Sequence, residues 1–158
     1  MSATTVIRNA PWIVAYDEQT EGHKYIRDGD VALRGDRIIF IGERFDEPAD
    51  HVVDGTDCLV MPGLLDLHLH GYQVSHGKGF FEDLASKHMW MTQLFEFTWL
   101  LQEDDESAVA AMQAAACELL KSGCTTMAEL YCSQRLPFEG WLDVLAATGI
   151  RTFACPMV

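Results

Sequence analysis

At 158 residues the chain is large enough for one domain of ordinary size, and its Lys and Arg number 11 against 24 Asp and Glu, for a net charge of -13. No basic cluster interrupts the acidity, so nucleic acid and anionic membrane surfaces are excluded as partners, and a highly anionic substrate is disfavoured. Five cysteines in odd number, without CxxC spacing, read as buried reduced thiols; with neither a basic-then-apolar leader nor an apolar run of spanning length, a cytoplasmic protein with no membrane contact is expected.

Residues 4–60 read as short strands. Segments 5–9 and 12–16 are rich in β-branched and aromatic residues, and Pro11 between them predicts a break. Segments 30–34 and 37–41 flank Gly35-Asp36, a two-residue connection of the Gly-X kind favoured in hairpins. Residues 43–49, with Pro48 and acidic side chains, read as a solvated loop. Residues 1–60 are therefore expected to form a small β domain of sandwich type.

Beyond Pro62 the pattern becomes an alternation of strands and helices, the mark of a parallel α/β architecture. The run Pro62-Gly63-Leu64-Leu65-Asp66-Leu67-His68-Leu69-His70 reads as the first strand. A glycine-rich connection follows at 71–79, too long for a tight turn, and then an aromatic helical stretch at 86–101 with Trp90, Phe95, Phe97 and Trp99. Asp104-Asp105-Glu106 puts negative charge at the start of a helix predicted over 107–122, which Gly123 ends. A second strand at 124–131, a helix at 137–148 closed by Gly149, and a third strand at 150–155 complete the order. Residues 61–158 thus hold three strand–helix units.

The residues with chemistry to offer cluster on the first strand. Side chains of a strand alternate between faces, so His68 and His70 are expected on one side with Asp66, and Leu67 and Leu69 on the other. Interleaved apolar residues predict a strand covered on both faces. Two adjacent imidazoles make a pincer for a divalent ion, although an HxH pair also serves packing or hydrogen bonding alone. Asp66 is placed either to hold an imidazole or, the first choice, to shape the floor of the site.

Three segments carry a family resemblance. The stretch from Asp54 to His70, with Met61-Pro62-Gly63-Leu64-Leu65-Asp66-Leu67-His68-Leu69-His70 at its end, resembles the opening of the barrel in the amidohydrolase superfamily. Upstream, Asp28-Gly29-Asp30-Val31-Ala32-Leu33-Arg34-Gly35-Asp36-Arg37-Ile38-Ile39-Phe40-Ile41-Gly42-Glu43 is similar to the N-terminal hairpin of those proteins. Downstream, Cys117-Glu118-Leu119-Leu120-Lys121-Ser122-Gly123-Cys124-Thr125-Thr126-Met127 is similar to their passage into the second barrel strand. The chain is nearest to the deaminase and triazine-hydrolase branch.

The resemblance implies a (β/α)8 barrel and a metal-dependent hydrolase whose activated water attacks a carbon–nitrogen or related bond of a small-molecule substrate. It implies that His68 and His70 are two ligands of one divalent ion, zinc first and iron second, and that a third histidine, an aspartate and a general acid or base lie on later strands. Asp66 matches the aspartate of the family motif. Glu129, near the catalytic end of the second strand, is a candidate for supporting His68 or His70, since ligating imidazoles commonly donate their other N–H to a carboxylate. Gln73 and His76 on the loop after the first strand are candidates for substrate contact. His88 and the aromatic set read mainly as packing, and Thr125 and Thr126 suit a strand by propensity alone.

A complete barrel of this kind takes about 250 residues, whereas 62–158 leaves room for three units. The expectation is a second polypeptide that carries the remaining strands, in an oligomeric assembly, with activity only in the complex. Without it, the inward faces around Met127, Leu130 and Phe153 lack an opposite wall. The alternative is a non-catalytic truncated barrel that binds a partner through its open edge.

Overall fold

The connection at Gly35-Asp36 reverses the chain as the sequence predicts, with Gly35 at φ 61°, and the strands on either side build the first part of the molecule. In a computed structural model, which describes residues 2–71, 75, 77–78, 104–131 and 137–156, the chain divides into two units, Met1–Pro62 and Gly63–Val158.

The first unit holds β1 (Thr4–Asp17), β2 (Gly22–Arg34), β3 (Arg37–Gly42), β4 (His51–Asp54) and β5 (Leu59–Val60). Its strands form one sheet in the order β3-β2-β1-β4, with β5 also on β1. Pro11 does not break β1. The register with β2 slips between Ile7 and Ala10, Asn9 takes φ 58°, and a bulge of this kind is where a strand accommodates a proline.

The slip is fastened by a buried carboxylate. Asp30 accepts from Arg8 Nη1, Asn9 N and Phe45 N, each at 3.0 Å. One strand therefore runs where two were expected. The described residues of this unit make one sheet, and the loop after β3 covers part of it. Phe45 from that loop packs with Val6 and Ala32, its ring centroid 5.5 Å from that of Phe40.

In the second unit β6 (Leu64–Leu69), β7 (Cys124–Tyr131) and β8 (Arg151–Pro156) lie side by side in that order, all parallel. Helices α1 (Asp105–Lys121) and α2 (Phe138–Thr148) connect them. Asp104 caps α1, accepting from Ser107 N at 2.7 Å while Ser107 Oγ accepts from Asp104 N at 3.1 Å, the reciprocal box that satisfies donors at a helix start. Gly123 and Gly149 leave their helices with φ of 84° and 75°, a left-handed turn that glycine makes without strain. A core of Leu69, Met112, Met127, Trp141, Leu145 and Ile150, filled out by alanines of α1, lies between helices and sheet.

That core corrects two expectations. Met127 is fully buried in it and so faces the helices, because Met127 and Ala128 point to opposite sides of β7. The open side of the sheet is instead marked by Leu65, Leu67 and Phe153, at 60%, 78% and 68% exposed. Among the described residues the first barrel-type strand is thus covered on one face only. Where β6 and β7 begin they run close: a Cβ on Gly63 would lie 2.2 Å from Thr125 Oγ1.

Candidate metal centre

His68 and His70 meet at the C-terminal end of β6, their ring centroids 5.0 Å apart and their planes at 69°. Leu69 between them is buried in the helix-side core, so alternation turns both imidazoles away from that core. The spacing can be compared with what one ion would require. A zinc–nitrogen bond of about 2.0–2.1 Å puts each ring centroid roughly 3.2 Å from the ion, and a near-tetrahedral angle then separates the centroids by about 5 Å. The pair fits.

Electrostatics favour the ligand form as well. Burial, followed by repulsion from His68, holds the His70 imidazole below its ordinary pKa, and a neutral imidazole is the form that binds metal. Among the described residues no three His, Cys, Asp or Glu side chains are close enough together to hold an ion. Two donors are what this part of the chain brings together.

Asp66 does not share the histidine face. It pairs with Met127, while Leu69 pairs with Glu129. Three residues of β6 therefore span what two of β7 do, a bulge between Asp66 and Leu69 that upsets counting by twos. Met127 faces the helices, so Asp66 stands on that side with it, near enough to Glu129 to raise the latter's pKa. Asp66 Oδ1 accepts from His68 N at 3.1 Å and so shapes the backbone at the bulge. This is a structural use of the residue, on the strand rather than on a ring.

Glu129 is fully buried on the same side. Both its oxygens accept from the backbone N–H of Gly71, at 3.1 Å and 3.4 Å. Burial drives its pKa up to about 7, the Gly71 bond opposing and Asp66 adding to the rise. Nothing in the sequence singles out Gly71 and Met112. A Cβ on Gly71 would stand 2.4 Å from Met112 Sδ, and contacts so far apart in the chain leave no local pattern. Gln73, His76, His88 and the aromatic stretch at 86–101 lie outside the described residues.

Residues 59–157 match the family model described as "Amidohydrolase family". Among curated proteins, a 5-methylthioadenosine/S-adenosylhomocysteine deaminase of Desulfitobacterium hafniense is 29% identical over 110 residues, covering 67% of this chain and 25% of that protein. A 5'-deoxyadenosine deaminase of Methanosarcina barkeri is 27% identical over 158 residues, covering 97% of this chain and 33% of that protein. The chain thus spans about a quarter to a third of the length of these relatives. Among solved structures, the atrazine chlorohydrolase of Arthrobacter aurescens TC1, complexed with zinc, superimposes with a TM-score of 0.75 at 20% identity over 96% of this chain and 35% of that chain. Its likeness is one of fold, a mixed α/β arrangement of which the present chain covers part.

Proposed function

The chain belongs to the amidohydrolase family, and from that premise we propose that it forms the first three strand–helix units of a (β/α)8 barrel in a metal-dependent hydrolase of carbon–nitrogen bonds. The observation that carries this reading is the His68–His70 pair, two rings 5.0 Å apart at the C-terminal end of a parallel strand, the end where barrels of this kind place their chemistry. His68 and His70 would hold the ion, zinc in the first instance and iron in the second. When bound, the ion supplies Lewis acidity and brings the pKa of a water to about 7.

The chain's own residues do the rest of what lies on these strands. Burial lowers the His70 pKa, which favours the neutral ring that a metal takes. Asp66 holds the backbone of His68. Gln73 and His76, which follow the histidine pair in the sequence, are the proposed substrate contacts. The named deaminase relatives favour a heterocyclic amine as substrate class, with ammonia as the leaving group.

Further ligands and the general acid or base belong to barrel strands that these 158 residues do not hold. Completion of the barrel by those strands, on more of the same chain or on a second polypeptide in an oligomer, is part of the proposal. What supports it is the open apolar side of the sheet at Leu65, Leu67 and Phe153, a surface that favours being covered. A cytoplasmic setting is likewise proposed, on the free thiols of Cys58, Cys117, Cys124 and Cys155, which are exposed or half-buried where buried thiols were expected.

The test is His68→Ala and His70→Ala with metal analysis of the assembled enzyme. Each substitution is expected to lower bound metal and abolish hydrolysis of the carbon–nitrogen bond. Full metal content and activity in either variant would overturn the assignment.

A further inference from the structure

A fully buried carboxylate is a costly thing to place in a core, and an apolar side chain of similar volume would fill the space at less cost. Glu129 is such a carboxylate. Its two oxygens converge on a single backbone donor, the N–H of Gly71. That N–H belongs to the peptide plane shared with the carbonyl of His70, so holding the plane restrains the ψ of His70 and with it the Cα from which the ring projects.

The plane is held from a second direction. A Cβ on Gly71 would fall 2.4 Å from Met112 Sδ and 3.3 Å from Glu129 Oε2, so the glycine is seated between a thioether and a carboxylate with no room to shift. Four residues on, Ser75 Oγ donates to the carbonyl of Ala111 at 2.9 Å, next to Met112 on α1. The chain leaving the histidine pair is thereby tied to β7 and to α1 at successive points.

We propose that Glu129 is a positioning residue for the metal pair: by clamping the Gly71 N–H it holds the His70 ring at the spacing from His68 that one ion requires. The inference rests on the reading of His68 and His70 as ligands. It assigns Glu129 no contact with metal or substrate, and it acts through the backbone rather than through an imidazole N–H.

The test uses the assembled enzyme and zinc alone, with bound zinc measured against graded free zinc. Glu129→Gln keeps an oxygen to accept from Gly71, and its zinc affinity is expected within about threefold of the parent. Glu129→Met keeps the volume and loses the acceptor. It is expected to bind zinc at least about tenfold more weakly, as supports of metal ligands commonly do when removed, while its unfolding midpoint stays equal or rises. A purely structural role would give the reverse pattern.

Equal zinc affinity in the parent and in Glu129→Met overturns the proposal. Undiminished binding in His68→Ala or His70→Ala overturns the ligand reading instead, and that result is scored without reference to Glu129. Should Glu129→Met fail to fold, hydrogen exchange at the Gly71 amide decides. Exchange slowed at least about tenfold in both the parent and Glu129→Gln supports the clamp, and exchange at the rate of an open loop amide overturns it.

Discussion

Replacing Glu129 with glutamine should change how the stability of the metal-free chain depends on pH. Burial raises the Glu129 pKa from 4.5 to about 7, so between those values the folded state holds a proton that the unfolded state has released. Stability linked to this group therefore falls as pH rises from about 4.5 to about 7 and is level above. A shift of about two and a half units corresponds to on the order of 3 kcal/mol across the window. Glutamine carries no charge, fits the same space and still accepts from Gly71, so Glu129→Gln should lose the slope and exceed the parent in stability at pH 8. His70 contributes with the opposite sign: its depressed pKa gives stability that is present above 6.5 and lost as pH falls. That contribution is common to both proteins and cancels in their difference. Urea denaturation of the two, with a chelator present, at half-unit steps from pH 4.5 to 8.5 reads the difference directly. A parent-minus-variant difference that stays flat over this range would refute the reasoning.

Gly63→Ala should cost about 1–3 kcal/mol, the usual penalty of overpacking, because its Cβ would meet Thr125 Oγ1 at 2.2 Å; the double variant with Thr125→Ala clears Oγ1 and Cγ2 but leaves the Thr125 Cβ at 2.7 Å, so it should recover only part of the loss in the same denaturation assay, and a single variant as stable as the parent would contradict the contact. In the first unit, Asp30→Ala strands the donors of Arg8, Asn9 and Phe45. It should lower stability by about 3–5 kcal/mol and speed amide exchange at Asn9 and Phe45, and unchanged exchange there would count against the clamp.

What could be read from the sequence was whatever depends on near neighbours. The hairpin at Gly35-Asp36, the glycines that end α1 and α2, and the order of strands and helices in the second unit all follow from local chemistry, and the structure has them. The failures share one cause. Pro11 looks like a terminator until Asp30, distant in sequence, fastens the bulge beside it. Asp66 counts onto the histidine face until the register with β7 slips by one residue. Met127 counts inward until the helices that bury it are in place.

Alternation by two is reliable only between irregularities, and a bulge is fixed by the partner strand, which a single segment does not reveal. The histidine pair comes through the slip because its geometry depends on the last three residues, with Leu69 anchored in the core between the rings. Asp66, on the far side of the slip, does not. The same argument explains why Glu129 looks like a partner for an imidazole when only the second strand is read. Its bond to Gly71 spans 58 positions, so the chemistry of a carboxylate near the histidine pair is visible in sequence, whereas the atom it grips is set by register and by the helix behind it.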